Sequence, residues 1–304
     1  MKTAVVTDSN SGITQEEAKK EGIFILPMPV IVDGVTRYEG QDLTQEMFYG
    51  SLTSGIDVTT SQPSPEDVMD LWDKVLSGGY EELVYIPMSS GLSNSCETAI
   101  LLSDDYDGKV QVVDNHRISV TQREAVMEAV RLVAAGTSAK AVKEDLEARA
   151  YDSSIYITVD TLEYLKKGGR VTPAGAAIGA VLNIKPVLTI QGERLDAFAK
   201  VRGMRKGKDK MIEALKKDIE ERFSEMDRSR IRIGTAGAGL TAAEAEEWCS
   251  EVEKAFPWAE VYYNPLSELS RIRHKTDQGW QYQHKKYQEM LDGKGVPLSP
   301  RNLP

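Results

Sequence analysis

The chain has 304 residues but only two cysteines, three histidines and no apolar run long enough to span a membrane. Each shortage removes a class of function. Cys96 and Cys249 lie far apart and show no metal-ligand spacing. They make no disulfide framework, so a reducing, cytoplasmic setting is expected. His116, His274 and His284 form neither an H-x-x-x-H nor an H-x-x-E-H pattern, so no metal or other cofactor is expected. The opening MKTAVVTDSN has neither the apolar h-region nor the cleavage site of a signal peptide. Positive charge is also short: 37 Lys and Arg face 47 Asp and Glu, a net charge of −10. That balance speaks against nucleic acid as a partner.

What remains is enough apolar residue for two domains, each with its own core. The first half alternates strand and helix. Thr3–Thr7 is strand-like and leads into the turn Asp8-Ser9-Asn10-Ser11-Gly12. Thr14 and Glu17 have the spacing of a capping box. Ile23–Val32 reads as one strand, placed at a sheet edge by Pro27 and Pro29, which cannot donate to a ladder. Ser64-Pro65-Glu66-Asp67 carries an N-cap serine, a first-turn proline and first-turn acids, with Val68, Trp72 and Val75 inward behind it. Val110–Val113 is a strand; two amphipathic helices follow, one with Val126, Val130 and Val133 inward, the other with Val142, Leu146 and Arg149 at helical spacing. This repeated β-α-β order predicts an α/β fold whose first domain, residues 1–152, is a mainly parallel, doubly wound sheet.

Residues 153–304 are expected to form a second α/β domain, with the boundary near Tyr151-Asp152. Ile155–Val159 is strand-like. Thr172-Pro173 opens a helix of small residues, including Gly175 and Gly179. Glycine costs a helix about 1 kcal/mol against alanine, so close approach of a backbone or a ligand is expected there. A hairpin turns at Gln191-Gly192-Glu193. A helix with Ile212, Leu215, Ile219 and Phe223, strands at Ile231–Gly234 and Val261–Tyr263, and an intervening helix with Ala245, Trp248 and Val252 complete the unit. Trp280, Tyr282 and Tyr287 anchor a last helix.

The stretch Glu82–Ala99 organises the rest. Leu83-Val84-Tyr85-Ile86 has the length and composition of a buried strand, and a helix starts at about Ser95. Between them lie Ser89, Ser90, Gly91, Ser93, Asn94 and Ser95. A helix N-terminus dressed with hydroxyls offers unpaired N–H groups to an anion. No Lys or Arg stands in the loop, so a carboxylate suits it better than a triphosphate. A second hydroxyl cluster, Thr59-Thr60-Ser61-Gln62, also runs into a helix start. Two such ends converging would bind a carboxylate better than either alone; read alone, each is a capped turn.

Two other chemistries are legible. Gly91-Leu92-Ser93-Asn94-Ser95 is one residue short of a G-x-S-x-G nucleophile elbow, and a serine-dependent lipid-ester hydrolase would pair Ser93 with His274. The second glycine and an HGGG-type oxyanion run are both missing. Gly234-Thr235-Ala236-Gly237-Ala238-Gly239 lies between strand and helix, as the phosphate loop of a small-molecule kinase would. Its G-x-x-G-x-G order reverses the dinucleotide pattern, and tight helix–strand packing explains it better. Cys96 reads as a small buried filler. Lys200, Arg202, Arg205, Lys206, Lys208 and Lys210 gather positive charge on a strand end and loop, either a solvated loop or a docking patch in an acidic protein.

Together these residues resemble the DegV family of bacterial fatty-acid-binding proteins. The matches are Val6-Thr7-Asp8-Ser9, Thr60-Ser61-Gln62-Pro63-Ser64, Ser89-Ser90-Gly91-Leu92-Ser93, Val112-Val113-Asp114, Tyr164-Leu165-Lys166-Lys167-Gly168-Gly169-Arg170, Ile184-Lys185-Pro186 and Lys200-Val201-Arg202-Gly203, in the family's order. The resemblance implies a two-domain protein, not an enzyme, holding one long-chain fatty acid such as palmitate between its domains. It implies that Thr60 and Ser93 meet the carboxylate, with Ser61, Ser90, Asn94, Arg170 and His274 in support. It further implies presentation of the acid to a separate fatty acid kinase; on their charge, Lys200, Arg202 and Arg205 are the expected docking residues, with transient membrane contact as another use. The family's H-T-G-P-G run departs here to His274-Lys275-Thr276-Asp277-Gln278-Gly279-Trp280.

Overall fold

In the computed structural model of the chain, residues 2–44, 47–48, 50–51, 54, 56–159, 162, 171–176, 184–192, 194–237, 240–264 and 266 are described. The calls on Arg170, Gly179, His274, Trp280, Tyr282, Tyr287 and the last helix lie outside them.

Two continuously buried strands lie at the centre of the first half, β1 (Thr3–Asp8) and β6 (Glu82–Ile86). They pair in parallel, with β2 (Ile23–Leu26) beyond β1 and β7 (Val110–Val112) beyond β6, giving the order β2-β1-β6-β7. Strands covered on both faces lose the in–out alternation of a half-exposed strand. On one face Ala4, Val6, Leu83 and Tyr85 pack against α2 (Pro65–Ser77) and α3 (Ser95–Ser103). On the other, Val5, Val84 and Ile86 pack against α1 (Gln15–Glu21), α4 (Ser119–Ala134) and α5 (Ala139–Ala148). The doubly wound layer is the expected one. Trp72 of α2 is fully buried, edge-on to Tyr85 and Tyr106 at centroid distances of 5.7 and 5.4 Å. The Ser64–Asp67 capping box starts α2 as its sequence requires.

Ile23–Val32 is not a single edge strand. The chain breaks at Pro27 and Met28, so β2 takes the edge while β3 (Pro29–Val32) becomes the central strand of a second sheet. That sheet is antiparallel, in the order β4-β3-β5 with β4 (Val35–Tyr38) and β5 (Val58–Thr60). Pro29 is tolerated because it opens its strand.

The second half contains an antiparallel sheet, β10-β9-β8, built from β8 (Ile155–Thr158), β9 (Ile184–Ile190) and β10 (Asp196–Arg202). The predicted hairpin joins β9 to β10, with a bulge between Ala197 and Ala199. A parallel pair, β11 (Arg232–Thr235) and β12 (Glu260–Tyr263), lies apart from it. Helices α7 (Met204–Glu221) and α8 (Ala242–Ala255) join both sheets in one core, through Met211, Ile219, Trp248 and Val252 against Val187 and Ile233. The basic run is therefore not a loop: Lys200 and Arg202 stand on β10, but Arg205, Lys206, Lys208 and Lys210 lie in the first turns of α7. A short helix, α6 (Pro173–Ala176), follows Thr172. A Cβ on Gly175 would lie 2.5 Å from Val171 and 3.4 Å from the Leu195 carbonyl, the close approach its small residues predict. The two halves meet where the Tyr262 hydroxyl donates to the Val120 carbonyl at 3.4 Å and the Asn264 amide to the Ser11 carbonyl at 3.1 Å.

Candidate functional site

In the parallel sheet the chain leaves β1 toward β2 and returns on β1's other side as β6. The carboxyl ends of β1 and β6 therefore flank a topological switch point, where open α/β sheets place their ligands. The loop after β1 is the 3-10 turn Ser9–Ser11, and the loop after β6 is the serine stretch. Asp8 ties them together. Its Oδ2 accepts from the Met88 N–H at 2.8 Å; its Oδ1 accepts from the Asn10 N–H at 2.9 Å, the Asn10 amide at 3.0 Å and the Gln122 amide at 3.0 Å. Burial pushes the Asp8 carboxyl above its ordinary value, further than these donors pull it down. Asp8 and Gln122 thus tie the ends of β1 and β6 to α4.

In the loop after β6, Ser93 is buried. Its N–H donates to the Ser89 carbonyl at 3.1 Å, and its hydroxyl accepts from the Ser95 N–H at 3.1 Å and donates to the Ser95 hydroxyl at 2.9 Å. Ser93 therefore fastens the first turn of α3. Asn94 occupies the N-cap but makes no side-chain cap bond; its amide reaches Glu97 at 3.4 Å instead. The Ser90 N–H donates to Asp114 at 3.4 Å. Thr60 is buried as the last residue of β5, and the Ser61 N–H donates to the Pro29 carbonyl at 3.3 Å.

Among the described residues no base hydrogen-bonds Ser93, and His274 lies outside them. The hydroxyl bonded to Ser93 belongs to Ser95, which cannot accept a proton near neutral pH. His116 is stacked on Tyr151 with ring centroids 5.2 Å apart, beside Asp114. Cys96 is fully buried, and burial pushes its thiol far up, so it is a filler. No group of three or more His, Cys, Asp or Glu among the described residues could hold a metal. The Gly234 loop also answers to packing: a Cβ there would lie 2.7 Å from Val120 and 2.9 Å from the Tyr262 hydroxyl.

A cavity of about 1080 Å³ opens beside the serine loop. Its walls come from β8, the start of α4, α7 and β11, and they include Leu92, Ile118, Ile157, Ile190, Met211 and Trp248. That volume is just above the roughly 300–1,000 Å³ of small-molecule sites. Leu92 is on the wall, whereas its neighbour Ser93 and Thr60 are not among the described lining residues.

A family model, described as an uncharacterised protein of the DegV family, matches residues 2–269. The chain belongs to the DegV family. A DegV domain-containing protein of Caldanaerobacter subterraneus is 30% identical over 259 residues, 84% of this chain and 87% of that protein. Two solved structures share the fold. One, from Thermus thermophilus and described as showing fatty acid binding of a DegV family protein, has a TM-score of 0.79 at 29% identity, covering 91% of this chain and 96% of the other. The other, DegV of Bacillus subtilis, described as a fatty acid binding protein, has a TM-score of 0.77 at 25% identity and the same coverages. The two-domain α/β reading agrees with these relatives.

Sequence reasoning missed two groups in this DegV chain. Gln122 lies on the buried face of α4, whose inward stripe the sequence marks by its valines; a polar residue in that stripe is the available signal. Arg117, on the cavity wall, carried no motif.

Proposed function

We propose that the chain binds one long-chain fatty acid, such as palmitate, with the acyl chain in the cavity and the carboxylate held by the Thr60 and Ser93 hydroxyls. The observation that carries this reading is the large cavity, walled by apolar side chains with charged ones among them, adjoining a loop of buried hydroxyls, in the family of the two fatty-acid-binding relatives. A buried chain contributes about 0.8 kcal/mol per CH2, so affinity comes from the walls and orientation from the hydroxyls. Neutral donors at a helix start suit a single carboxylate. In this reading the site binds rather than catalyses, with Ser61, Ser90 and Asn94 shaping its rim, and the domains divide near Tyr151-Asp152. The protein then works in the cytoplasm and presents its acid to a fatty acid kinase.

The test is the content of the cavity. Protein purified from a bacterial host, denatured and extracted, should yield close to one acyl chain per protein by mass spectrometry. Repeated recovery of a nucleotide and no lipid would overturn the reading.

A further inference from the structure

The cavity wall holds a cation with no carboxylate in ion-pair contact among the described residues. Arg117 stands in the connection from β7 to α4, between two residues with left-handed backbone, His116 (φ 55°) and Ser119 (φ 56°). Its guanidinium donates to the carbonyls of Arg149 and Ala150, at 2.5 and 3.3 Å, just past the end of α5. Arg149, on the same wall, pairs with Asp145 and Glu128. Among the described residues no carboxylate pairs with Arg117; burial and the Arg149 charge disfavour its cation, while Asp152 and Glu124, both on the cavity wall, favour it from a distance. A partly buried guanidinium whose direct hydrogen bonds among the described residues go to two carbonyls keeps donors for an acceptor arriving in the cavity. The neighbouring start of α4 adds to this. Ser119, Val120 and Thr121 line the cavity, the N-cap Ile118 makes no side-chain cap, and the first turn has no acid.

Resting on the fatty-acid reading, we propose that Arg117 forms a second anion subsite inside the cavity, separate from Thr60 and Ser93, and that it admits a long-chain acid with an acidic group at both ends. A terminal carboxylate buried in this cavity without a partner would be expelled. Arg117 supplies a charge-assisted, two-pronged partner for it.

The experiment compares hexadecanoic and hexadecanedioic acids by calorimetric titration of the full chain stripped of lipid. In the wild type the diacid should bind within about tenfold of the monoacid. Arg117→Gln should weaken the diacid about 10- to 100-fold, the range of a lost charge-assisted bond, while shifting the monoacid less than about threefold. Arg117→Lys, which keeps the charge but not the fork, should fall between. Equal weakening of both acids in Arg117→Gln makes the residue structural and overturns the subsite. If the glutamine variant does not fold, the wild type decides: a diacid more than about 100-fold weaker than the monoacid overturns the proposal. Binding of neither acid overturns the fatty-acid reading and the subsite with it; binding of the monoacid alone overturns only the subsite.

Discussion

The Ser89 hydroxyl donates to the Gly192 carbonyl at 2.8 Å, joining the serine loop to the hairpin turn between β9 and β10. Ser89 also accepts the Gly91 N–H at 3.1 Å, and its own N–H donates to the Arg117 carbonyl at 2.8 Å. Gly192 has φ 96°, and a Cβ there would lie 2.5 Å from the Tyr151 ring. The first serine of the loop is therefore a joint between the two halves. Ser89→Ala strands a buried carbonyl and N–H, which costs about 1–3 kcal/mol. The midpoint of urea unfolding should fall with the slope unchanged. Gly192→Ala, strained in backbone and space together, should lose at least as much.

Thr60 and Ser93 should behave as donors rather than as parts of a catalytic pair. Each alanine replacement is expected to weaken fatty-acid affinity by about 0.5–1.5 kcal/mol, or roughly 2- to 13-fold. Ser93→Ala also removes the acceptor for the Ser95 N–H, so its melting temperature should drop more than that of Thr60→Ala. Burst release of product from an activated acyl ester, abolished in Ser93→Ala alone, would instead identify a nucleophile.

Much of this architecture was readable because local signals agreed. The Ser64 capping box, the apolar run after Glu82 and the Gln191-Gly192 turn each name one conformation and lie where the structure has that conformation. The misreadings have physical causes. Pro27 and Pro29 forbid ladder donation, but they do not say whether a run stays in one sheet; here it passes from one sheet to another. Lys and Arg oppose a helix N-terminal dipole, so Arg205–Lys210 resembled a loop. Met211, Ala214 and Ile219 hold α7 on the core regardless. The tie between Asp8 and Gln122 was hidden because they are 114 residues apart in sequence and meet only in the fold.

Asp8 gives the sheet a particular dependence on pH. The folded chain holds its proton more tightly than the unfolded chain, because burial raises the carboxyl above 3.8. The sign follows from linkage. This contribution to stability is fully present below the unfolded value and is lost as pH rises through the folded value. Asp8→Asn lacks this contribution, so it should show a deficit against the wild type in acid. The deficit should grow as the pH is lowered from 7 toward 3. Urea titrations across that range check it; a gap that narrows in acid would mean the carboxylate, not the acid, is the favoured buried form.

The basic residues divide by their partners, and that division says which should matter for delivery. Arg205 pairs with Glu251 at 3.3 Å and Asp209 at 3.5 Å, and Lys210 pairs with Glu213 at 2.8 Å. Lys208 lies 3.9 Å from Glu251 and over the Trp248 ring. Arg205 and Lys208 brace α7 against α8 through Glu251, whereas the Asp209 and Glu213 pairs lie within α7; an exposed pair of this kind is worth about 0–1 kcal/mol. Arg205→Ala should therefore lower stability slightly and leave delivery unaltered. Arg202 is exposed on β10 with Lys200 and Phe198, and among the described residues no carboxylate pairs with it. A compact cationic face on an acidic protein orients encounter with an anionic partner, and a guanidinium grips carboxylate or phosphate with two donors. Arg202→Ala is expected to keep fatty-acid affinity and melting temperature close to wild type. It should slow phosphorylation of the bound acid by a fatty acid kinase, most strongly at low salt, where the Debye length is longest. A variant that melts early but delivers normally per folded molecule would make Arg202 a structural residue and move the search for the docking face elsewhere.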